Sequence, residues 1–355
     1  MSTDHEKFFH QISQIQPVCR ESMQRAKAHW DTVAKPLGSL GKLEQAVIQI
    51  AGISRSENVD LSKKGLIIMC ADNGVVAEGV TQTGQGVTAV VAENFLVLRS
   101  CVAIMCRDTG TDIFPVDIGM AVDTPRVERR KIAYGTKNMY REPAMSRDET
   151  IAAIETGIQL VKEKAEAGYQ ILATGEMGIG NTTTSSAVTS VLLDVPVETV
   201  TGRGAGLSSA GLTRKIEVIK AAVAKHQPNP QDPIDVLAKV GGFDIAGLAG
   251  VFLGGALYHV PVVADGFIST VAALIAIRLE PKAADYILAS HVSKEPAGPM
   301  LLKAIGKTPF LTCDMCLGEG SGAVALFPIL DMAVHIYREM SPFDEAGFGT
   351  YVPLE

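Results

Sequence analysis

The chain has 355 residues, of which 47% are hydrophobic, 20% charged and only 5% aromatic, and its net charge is −7. That apolar share supports a folded protein with a sizeable core, in one large domain or two ordinary ones. The negative balance argues against a nucleic-acid partner, since phosphate-backbone binding needs a basic face, but it leaves room for a small local anion site.

Met1 to Lys7 are polar and charged, so no secretory signal is read there and a cytoplasmic protein is expected. Phe9, Ile12, Ile15 and Val18 set a helical pattern from about Phe8 to Lys27. Pro17 falls inside it, so the pattern reads as two short helices or one kinked helix. Pro and Gly in Lys35-Pro36-Leu37-Gly38-Ser39-Leu40-Gly41 make a loop, and Leu43, Ala46, Val47 and Ile50 restart a helix. No strand pattern appears before residue 65, which suggests a helical segment outside the main sheet.

From residue 65 the pattern alternates between strands and helices. Buried-type strands are read at Leu66–Cys70, Asp112–Val116, Gln170–Ala173, Val260–Ala264 and Tyr286–Ala289. They run into Asp72-Asn73-Gly74, Asp117-Ile118-Gly119, Glu176, Asp265-Gly266 and Ser290-His291 respectively. Ligands of an open parallel α/β sheet bind beyond the carboxyl ends of its strands, so one shared site at that edge explains the repeated polar endings.

The stretch from Gly119 to Arg147 is poor in signals; its basic cluster Arg126, Arg129, Arg130 and Lys131 reads as a solvated face, and Gly135–Asn138 as a turn. Glu149 to Lys164 reads as an amphipathic helix carrying Ile151, Ile154, Ile158 and Val161. The longest apolar run, about Leu248 to Ala264, is broken by His259 and Pro261 and reads as a core helix followed by a strand, not a membrane span. Ala323 to about Arg338 is apolar and helical, placed to return onto the N-terminal helices. Of the six cysteines, only Cys313-Asp314-Met315-Cys316 has a metal or redox spacing. No second pair or His stands close to it, so reduced thiols and no metal site are expected.

The densest signal is Thr174-Gly175-Glu176-Met177-Gly178-Ile179-Gly180-Asn181-Thr182-Thr183-Thr184-Ser185-Ser186, between an apolar strand and an apolar helical stretch. Its glycines permit a sharp turn and a close ligand approach. Free N–H groups at a helix start favour a phosphate, which makes Gly178, Ile179, Gly180, Asn181 and Thr182 phosphate-site residues. Glu176 would repel a phosphate, so it is assigned to a ribose hydroxyl or a cationic ring. Further glycine-rich segments are Val200-Thr201-Gly202-Arg203-Gly204-Ala205-Gly206, Gly241-Gly242-Phe243-Asp244-Ile245-Ala246 and Leu317-Gly318-Glu319-Gly320-Ser321-Gly322. Glu319, held between glycines, is a general-base residue if it faces a cleft. No Walker sequence ends in Gly-Lys-Ser/Thr, and the Gly-x-Gly-x-x-Gly spacing is absent from these segments, which disfavours a P-loop NTPase and a nicotinamide-cofactor dehydrogenase.

Taken together, the chain resembles the nicotinate-nucleotide:dimethylbenzimidazole phosphoribosyltransferase family over nearly its whole length. The resemblance is carried by Lys35–Gly41, Ala71-Asp72-Asn73-Gly74-Val75, Gly175–Thr183, Thr201-Gly202-Arg203-Gly204, Asp265-Gly266-Phe267-Ile268, Ser290-His291 and Leu317–Gly320. It implies an α/β fold: a Rossmann-like, mainly parallel sheet in a large domain (61–329), with a small helical domain from both chain ends (1–60 with 330–355). It implies a dimer, of like chains or with a paralogue, and no metal or other cofactor. It implies transfer of the phosphoribosyl group of nicotinate mononucleotide to an aromatic base, in cobamide (vitamin B12) nucleotide-loop assembly, with Glu319 as the base that takes the acceptor's proton. Glu176, Gly178–Thr182, Gly202, Arg203 and Gly204 would hold the nucleotide. Lys215 falls where the family carries a basic residue near the phosphate, against its ordinary reading as a solvated helix lysine.

Gln82, Val90, Met177 and Leu317 correspond to the acceptor pocket. There the chain departs from the family: Val90 stands where an amide could bond the base's second nitrogen, and Glu295-Pro296-Ala297-Gly298 replaces Glu-Pro-Gly-His. The acceptor is therefore read as dimethylbenzimidazole or as phenol or p-cresol, the latter used by relatives that work as paired paralogous subunits. A non-catalytic partner subunit is the alternative role.

Overall fold

The computed structural model describes residues 3–347; residues 348–355, which the expected small helical domain includes, lie outside the described residues. Three helices come first, α1 (Thr3–Ser13), α2 (Arg20–Thr32) and α3 (Lys42–Ser54). Pro17 sits in the break between α1 and α2, so the pattern resolves as two helices. Strand β1 (Lys64–Ala71) leads through a 3-10 turn (Gly74–Glu78) to α4 (Gly86–Phe95) and α5 (Cys101–Thr109). Then follow β2 (Thr111–Gly119), β3 (Glu128–Arg129), α6 (Arg147–Glu166), β4 (Ile171–Met177), α7 (Asn181–Leu193), α8 (Val197–Val200), α9 (Ser209–His226) and α10 (Pro233–Val240). The chain continues with α11 (Phe243–Tyr258), β5 (Val262–Ala264), α12 (Phe267–Leu279), β6 (Ile287–Ala289), α13 (Gly298–Ala304) and α14 (Ser321–Glu339).

The six strands form one parallel sheet in the order β3-β2-β1-β4-β5-β6. The order reverses between β1 and β4, and ligands of doubly wound sheets bind in the crevice at that switch point. Every residue of β1 is buried, as a central parallel strand covered on both faces must be. Side chains alternate across a strand, so Leu66 and Met69 point to opposite faces. Leu66 lies against Gly320 at the start of α14, whereas Met69 lies against Gly247 of α11. These two helices therefore cover opposite faces of the sheet. Helix α14 also packs on α3 and α5, the return expected for the last helix.

The second layer depends on glycine. Helix α6 begins with a capping box, in which the Ser146 hydroxyl accepts from the Glu149 N–H and the Glu149 carboxylate accepts from the Ser146 N–H. It then crosses α11 with backbones nearly touching: a Cβ on Gly250 would fall 1.9 Å from the Ile154 carbonyl oxygen, and one on Gly157 2.0 Å from that of Gly247. Gly250→Ala should therefore destabilise the fold by about 1–3 kcal/mol or more, as overpacking against rigid backbone does. A lowered denaturant midpoint with an unchanged slope is the expected reading.

Three sequence readings need correction. The strand expected to stop at Ala173 continues through Thr174, Gly175, Glu176 and Met177. These residues look like a turn, but β4 lies between β1 and β5, and Thr174 Oγ1 donates to the Val263 carbonyl at 3.0 Å, so a polar side chain is satisfied inside the sheet. The signal-poor stretch after Gly119 contains β3, an edge strand of two residues and too short to show a pattern. Lys131 of the basic cluster is buried, with Nζ 3.1 Å from Asp117 and 3.0 Å from Asp123, while Arg126 and Arg129 remain exposed. No helix among the described residues is long and apolar enough to cross a membrane.

Candidate active site

A cavity of about 200 Å3 opens at the carboxyl ends of β4, β5 and β6. Its walls come from four places: the end of β4 and the start of α7, the turn at Gly204 and Ala205, the ends of β5 and β6, and the loop from Cys316 to Glu319. Of the residues singled out in the sequence, it gathers Glu176, Met177, Gly178, Ile179, Asn181, Thr182, Gly204, Leu317 and Glu319.

Glu319 is held in an unusual backbone conformation. Its φ is +62°, between Gly318 at +84° and Gly320 at +93°. A non-glycine residue in the left-handed region is strained and persists only when its surroundings enforce it. Here they do. A Cβ on Gly175 would meet the Glu319 carbonyl oxygen at 2.4 Å, and one on Gly318 would meet Glu176 Oε1 at 2.3 Å. Gly175, Gly318 and Gly320 thus let β4 and this loop pack directly together. Glu319 Oε2 accepts from the Val102 N–H in the first turn of α5 at 3.4 Å. Burial pushes the Glu319 carboxyl above the usual carboxylate range, the Val102 amide opposes that, and the Asp265 charge adds to it.

Asp265 anchors the loop. Its Oδ1 accepts from the N–H groups of Gly322 (2.7 Å) and Ala323 (3.2 Å), and its Oδ2 from that of Gly320 (3.3 Å). It sits at the positive end of α14, where a carboxylate is favoured. His291 packs beside it, with Nδ1 4.0 Å from Asp265 Oδ1 and 3.1 Å from Ser290 Oγ. Gly322 must be glycine, because a Cβ there would fall 1.9 Å from the His291 ring.

Glu176 is buried at the cavity wall, and Asn181 Nδ2 donates to its Oε2. Burial raises its carboxyl to about 8, with the Asp244 and Asp265 charges adding to the effect. Asp244 is raised to about 6, chiefly by burial. With its carboxyl near 8, Glu176 favours the protonated form at neutral pH. A carboxyl whose folded pKa is raised binds more protons folded than unfolded, so stability from Glu176 is full below 4.5 and is lost as pH rises through about 8. Unfolding free energies of Glu176→Gln, measured across that window, should fall less with rising pH than those of the unsubstituted chain.

Helix α7 starts at Asn181 after Gly180, whose φ is +97°. The Ile179 N–H donates to Thr88 Oγ1, and those of Asn181 and Thr183 to the Gly178 and Gly180 carbonyls. The Gly180 and Thr182 N–H groups have no acceptor among the described residues, as the first turn of a helix leaves them. Lys215 of α9 is buried rather than solvated, with Nζ donating to Thr182 Oγ1 at 2.8 Å and the Gly202 carbonyl at 3.2 Å. Burial lowers its ammonium to about 8, and the Glu295 charge opposes the shift. Glu295 crowds the same turn: a Cβ on Gly202 would meet its Oε2 at 1.9 Å.

Gly180 and Lys215 are not among the lining residues, and four more of the expected residues also stand outside the cavity. Arg203 folds back on its own loop, donating to the Leu207 carbonyl at 2.8 Å and Ser209 Oγ at 3.1 Å. Gln82 Nε2 donates to the Gly206 carbonyl. Gly202 lies behind Glu295, and Val90 is 61% exposed on α4. The strand-end residues also divide into two groups. Asp72 clasps Thr88 Oγ1 (2.6 Å) and the Ala121 N–H (2.8 Å), and Asp117 pairs with Lys131, whereas Glu176, Asp265 and His291 line the cavity.

Asp265, His291 and Glu295 were given no role in the sequence, although the first two carried the strand-ending signal. The supporting helix start at Val102 had no signal there. Among the described residues no group of three or more His, Cys, Asp or Glu could hold a metal ion.

A doubly wound parallel sheet with a glycine-bounded carboxylate in a cavity at the carboxyl ends of its strands has the layout of an α/β enzyme. The comparisons specify which. A family profile described as Phosphoribosyltransferase matches residues 15–348. A protein of Ruminiclostridium cellulolyticum named nicotinate-nucleotide–dimethylbenzimidazole phosphoribosyltransferase is 50% identical over 346 residues, covering 97% of this chain and 98% of the relative. One of the same name from Acetivibrio thermocellus is 46% identical, covering 97% and 99%. The crystal structure of CobT from Thermus thermophilus superimposes with a TM-score of 0.88 at 35% identity, covering 93% of this chain and 100% of that one. The chain belongs to the nicotinate-nucleotide–dimethylbenzimidazole phosphoribosyltransferase family and is a pentosyltransferase.

Proposed function

We propose that the cavity binds nicotinate mononucleotide and an aromatic acceptor and moves the 5-phosphoribosyl group from one to the other. The product would be the lower-ligand nucleotide of a cobamide, as the family resemblance implies. The observation that carries this reading is Glu319, a carboxylate fixed at the cavity wall with its pKa raised by burial. A carboxylate raised in this way and facing a cleft suits general-base proton removal. The acceptor's ring nitrogen or oxygen forms a bond to ribose C1′. The bond from C1′ to the pyridinium nitrogen breaks, nicotinate leaves with those electrons, and the acceptor's proton passes to Glu319. Glu176 meets a ribose hydroxyl or the cationic ring, whose positive charge would draw it toward ionisation.

The 5′-phosphate is assigned to the start of α7, where the Gly180 and Thr182 N–H groups are free and Lys215 stands against Thr182. The Gly202 carbonyl holds Lys215 in place beside Thr182, whereas Arg203 braces its own loop through Leu207 and Ser209. A crystal soaked with nicotinate mononucleotide should show the phosphate within hydrogen-bond reach of Gly178–Thr183 or Gly202–Gly206. Density for it at Arg129 and Arg130 would reject the assignment.

Dimethylbenzimidazole, which the relatives' names state, is the acceptor the comparisons favour for this chain. The case for phenol or p-cresol rested on Val90, which faces solvent in the isolated chain and could reach an acceptor only if a second subunit closed over α4. A dimer is proposed on the same ground, because Val87, Val90, Leu96, Val97, Leu98 and Ile104 leave apolar surface exposed along α4, α5 and their link. Competition between dimethylbenzimidazole and p-cresol, with and without a paralogous subunit, separates the acceptors and tests the silent-subunit alternative. The division into residues 61–329 and 1–60 with 330–355 is likewise proposed, supported by the packing of α3 on α2 and α14.

A further inference from the structure

The Cys313–Cys316 pair has no part in the chemistry above. Both thiols are free and exposed, and Cys316 lines the cavity, directly before Leu317, Gly318 and Glu319. Residues 312–317 are held loosely. Among the described residues, their one backbone hydrogen bond outside regular structure runs from the Lys294 N–H to the Met315 carbonyl at 3.0 Å, and none of their side chains makes a hydrogen bond there. Asp314, between the two cysteines, has φ +52°, so the chain bends there instead of extending. Beyond Cys316 the structure is unyielding, because Gly318, Glu319 and Gly320 are wedged against Gly175, Glu176 and Leu66. A tether between the two sulfurs would pull a loose segment against a rigid catalytic loop.

We propose that Cys313 and Cys316 form a thiol–disulfide exchange site whose oxidation displaces the cavity wall and arrests turnover. The co-reactant is a low-molecular-weight disulfide such as glutathione disulfide. One cysteine thiolate attacks it, forming a mixed disulfide and releasing one glutathione thiolate, which takes up a proton. The second cysteine thiolate attacks the protein-side sulfur of that mixed disulfide. The Cys313–Cys316 bond forms and the second glutathione leaves, so two protein thiols are oxidised and one disulfide is reduced to two thiols. Exchange of this kind needs exposed thiols, which both are. Closing the bond costs at most the Met315 hydrogen bond and shifts Cys316 and Leu317. A displacement of about 1 Å next to the chemistry costs about 10²-fold in rate. The arrest of turnover rests on the phosphoribosyl-transfer reading, whereas the disulfide itself does not.

The full chain is incubated with glutathione disulfide and examined by intact mass, peptide mapping and hydrogen exchange. The expected result is a species two hydrogens lighter, with the bond mapped between Cys313 and Cys316 and altered exchange at Leu317 to Gly320. Cys313→Ser, at a position that does not itself line the cavity, should keep basal turnover and trap one glutathione on Cys316. Turnover of the oxidised chain should fall about 10²-fold and return with dithiothreitol. Stable glutathione adducts on the unsubstituted chain, or a bond to Cys101, would overturn the site. An internal disulfide with unchanged exchange at Leu317 to Gly320 would overturn the displacement. The same disulfide with unchanged turnover would overturn the arrest. A chain inactive even when fully reduced would count against the transfer reading alone, since mass and exchange still decide the site and the displacement.

Discussion

Glu319→Gln is expected to lower turnover by about 10² to 10⁴, the loss that follows removal of a positioned base. The substitution keeps the side chain's size, and the amide oxygen can still accept from the Val102 N–H. Fold, melting behaviour and nucleotide binding should therefore remain. The pH dependence identifies the group. Burial raises the Glu319 carboxyl, and the base works only when ionised, so turnover should fall as pH drops through a value above the usual carboxylate range. That acidic limb should be missing from the residual activity of the variant. A variant with near-normal turnover, or one that keeps the limb, assigns the proton transfer elsewhere.

Asp265→Ala has the second largest expected effect, and it acts through position. The Asp265 carboxylate takes three N–H groups at the start of α14, and Glu319 keeps its left-handed backbone in the loop they fix. Leaving a buried donor unsatisfied costs about 1–3 kcal/mol, so a clear loss of stability is expected. Turnover should drop by about 10²-fold as the base moves from its place. Asp265→Asn separates charge from shape. It keeps an oxygen for the N–H groups and removes the negative charge that raises Glu319. Its acidic limb should therefore move to lower pH. An Asn variant with an unmoved limb would show that Asp265 is structural only.

Much of this arrangement was legible in the sequence, because parallel strands buried on both faces read as apolar runs. Leu66–Cys70 and Tyr286–Ala289 are of that kind, and the polar residues closing the strands pointed to one edge of the sheet. Glu176 and Glu319 stand out because each sits among glycines, and the structure gives a reason: Gly175, Gly318 and Gly320 make room for the two segments to pack together. Less local features were not readable. Lys215 carries two readings in the sequence, a phosphate-site residue and a solvated helix lysine, and its burial follows only from α7 and the Gly202 turn closing over it. Asp72 and Asp265 end their strands in similar ways, yet one clasps Thr88 and the other faces the cavity. What decides between them is the neighbour on the sheet, which no stretch of sequence displays. The two-residue β3 fell below the length at which alternation can be seen.

The most direct test incubates the purified chain with nicotinate mononucleotide and dimethylbenzimidazole, then with p-cresol, and quantifies nicotinate and the ribosylated acceptor together by chromatography and mass. The account predicts equal amounts of the two products with at least one acceptor, abolished in Glu319→Gln. Folded, nucleotide-binding protein that releases no nicotinate with either acceptor, alone or with a paralogous subunit, would contradict it.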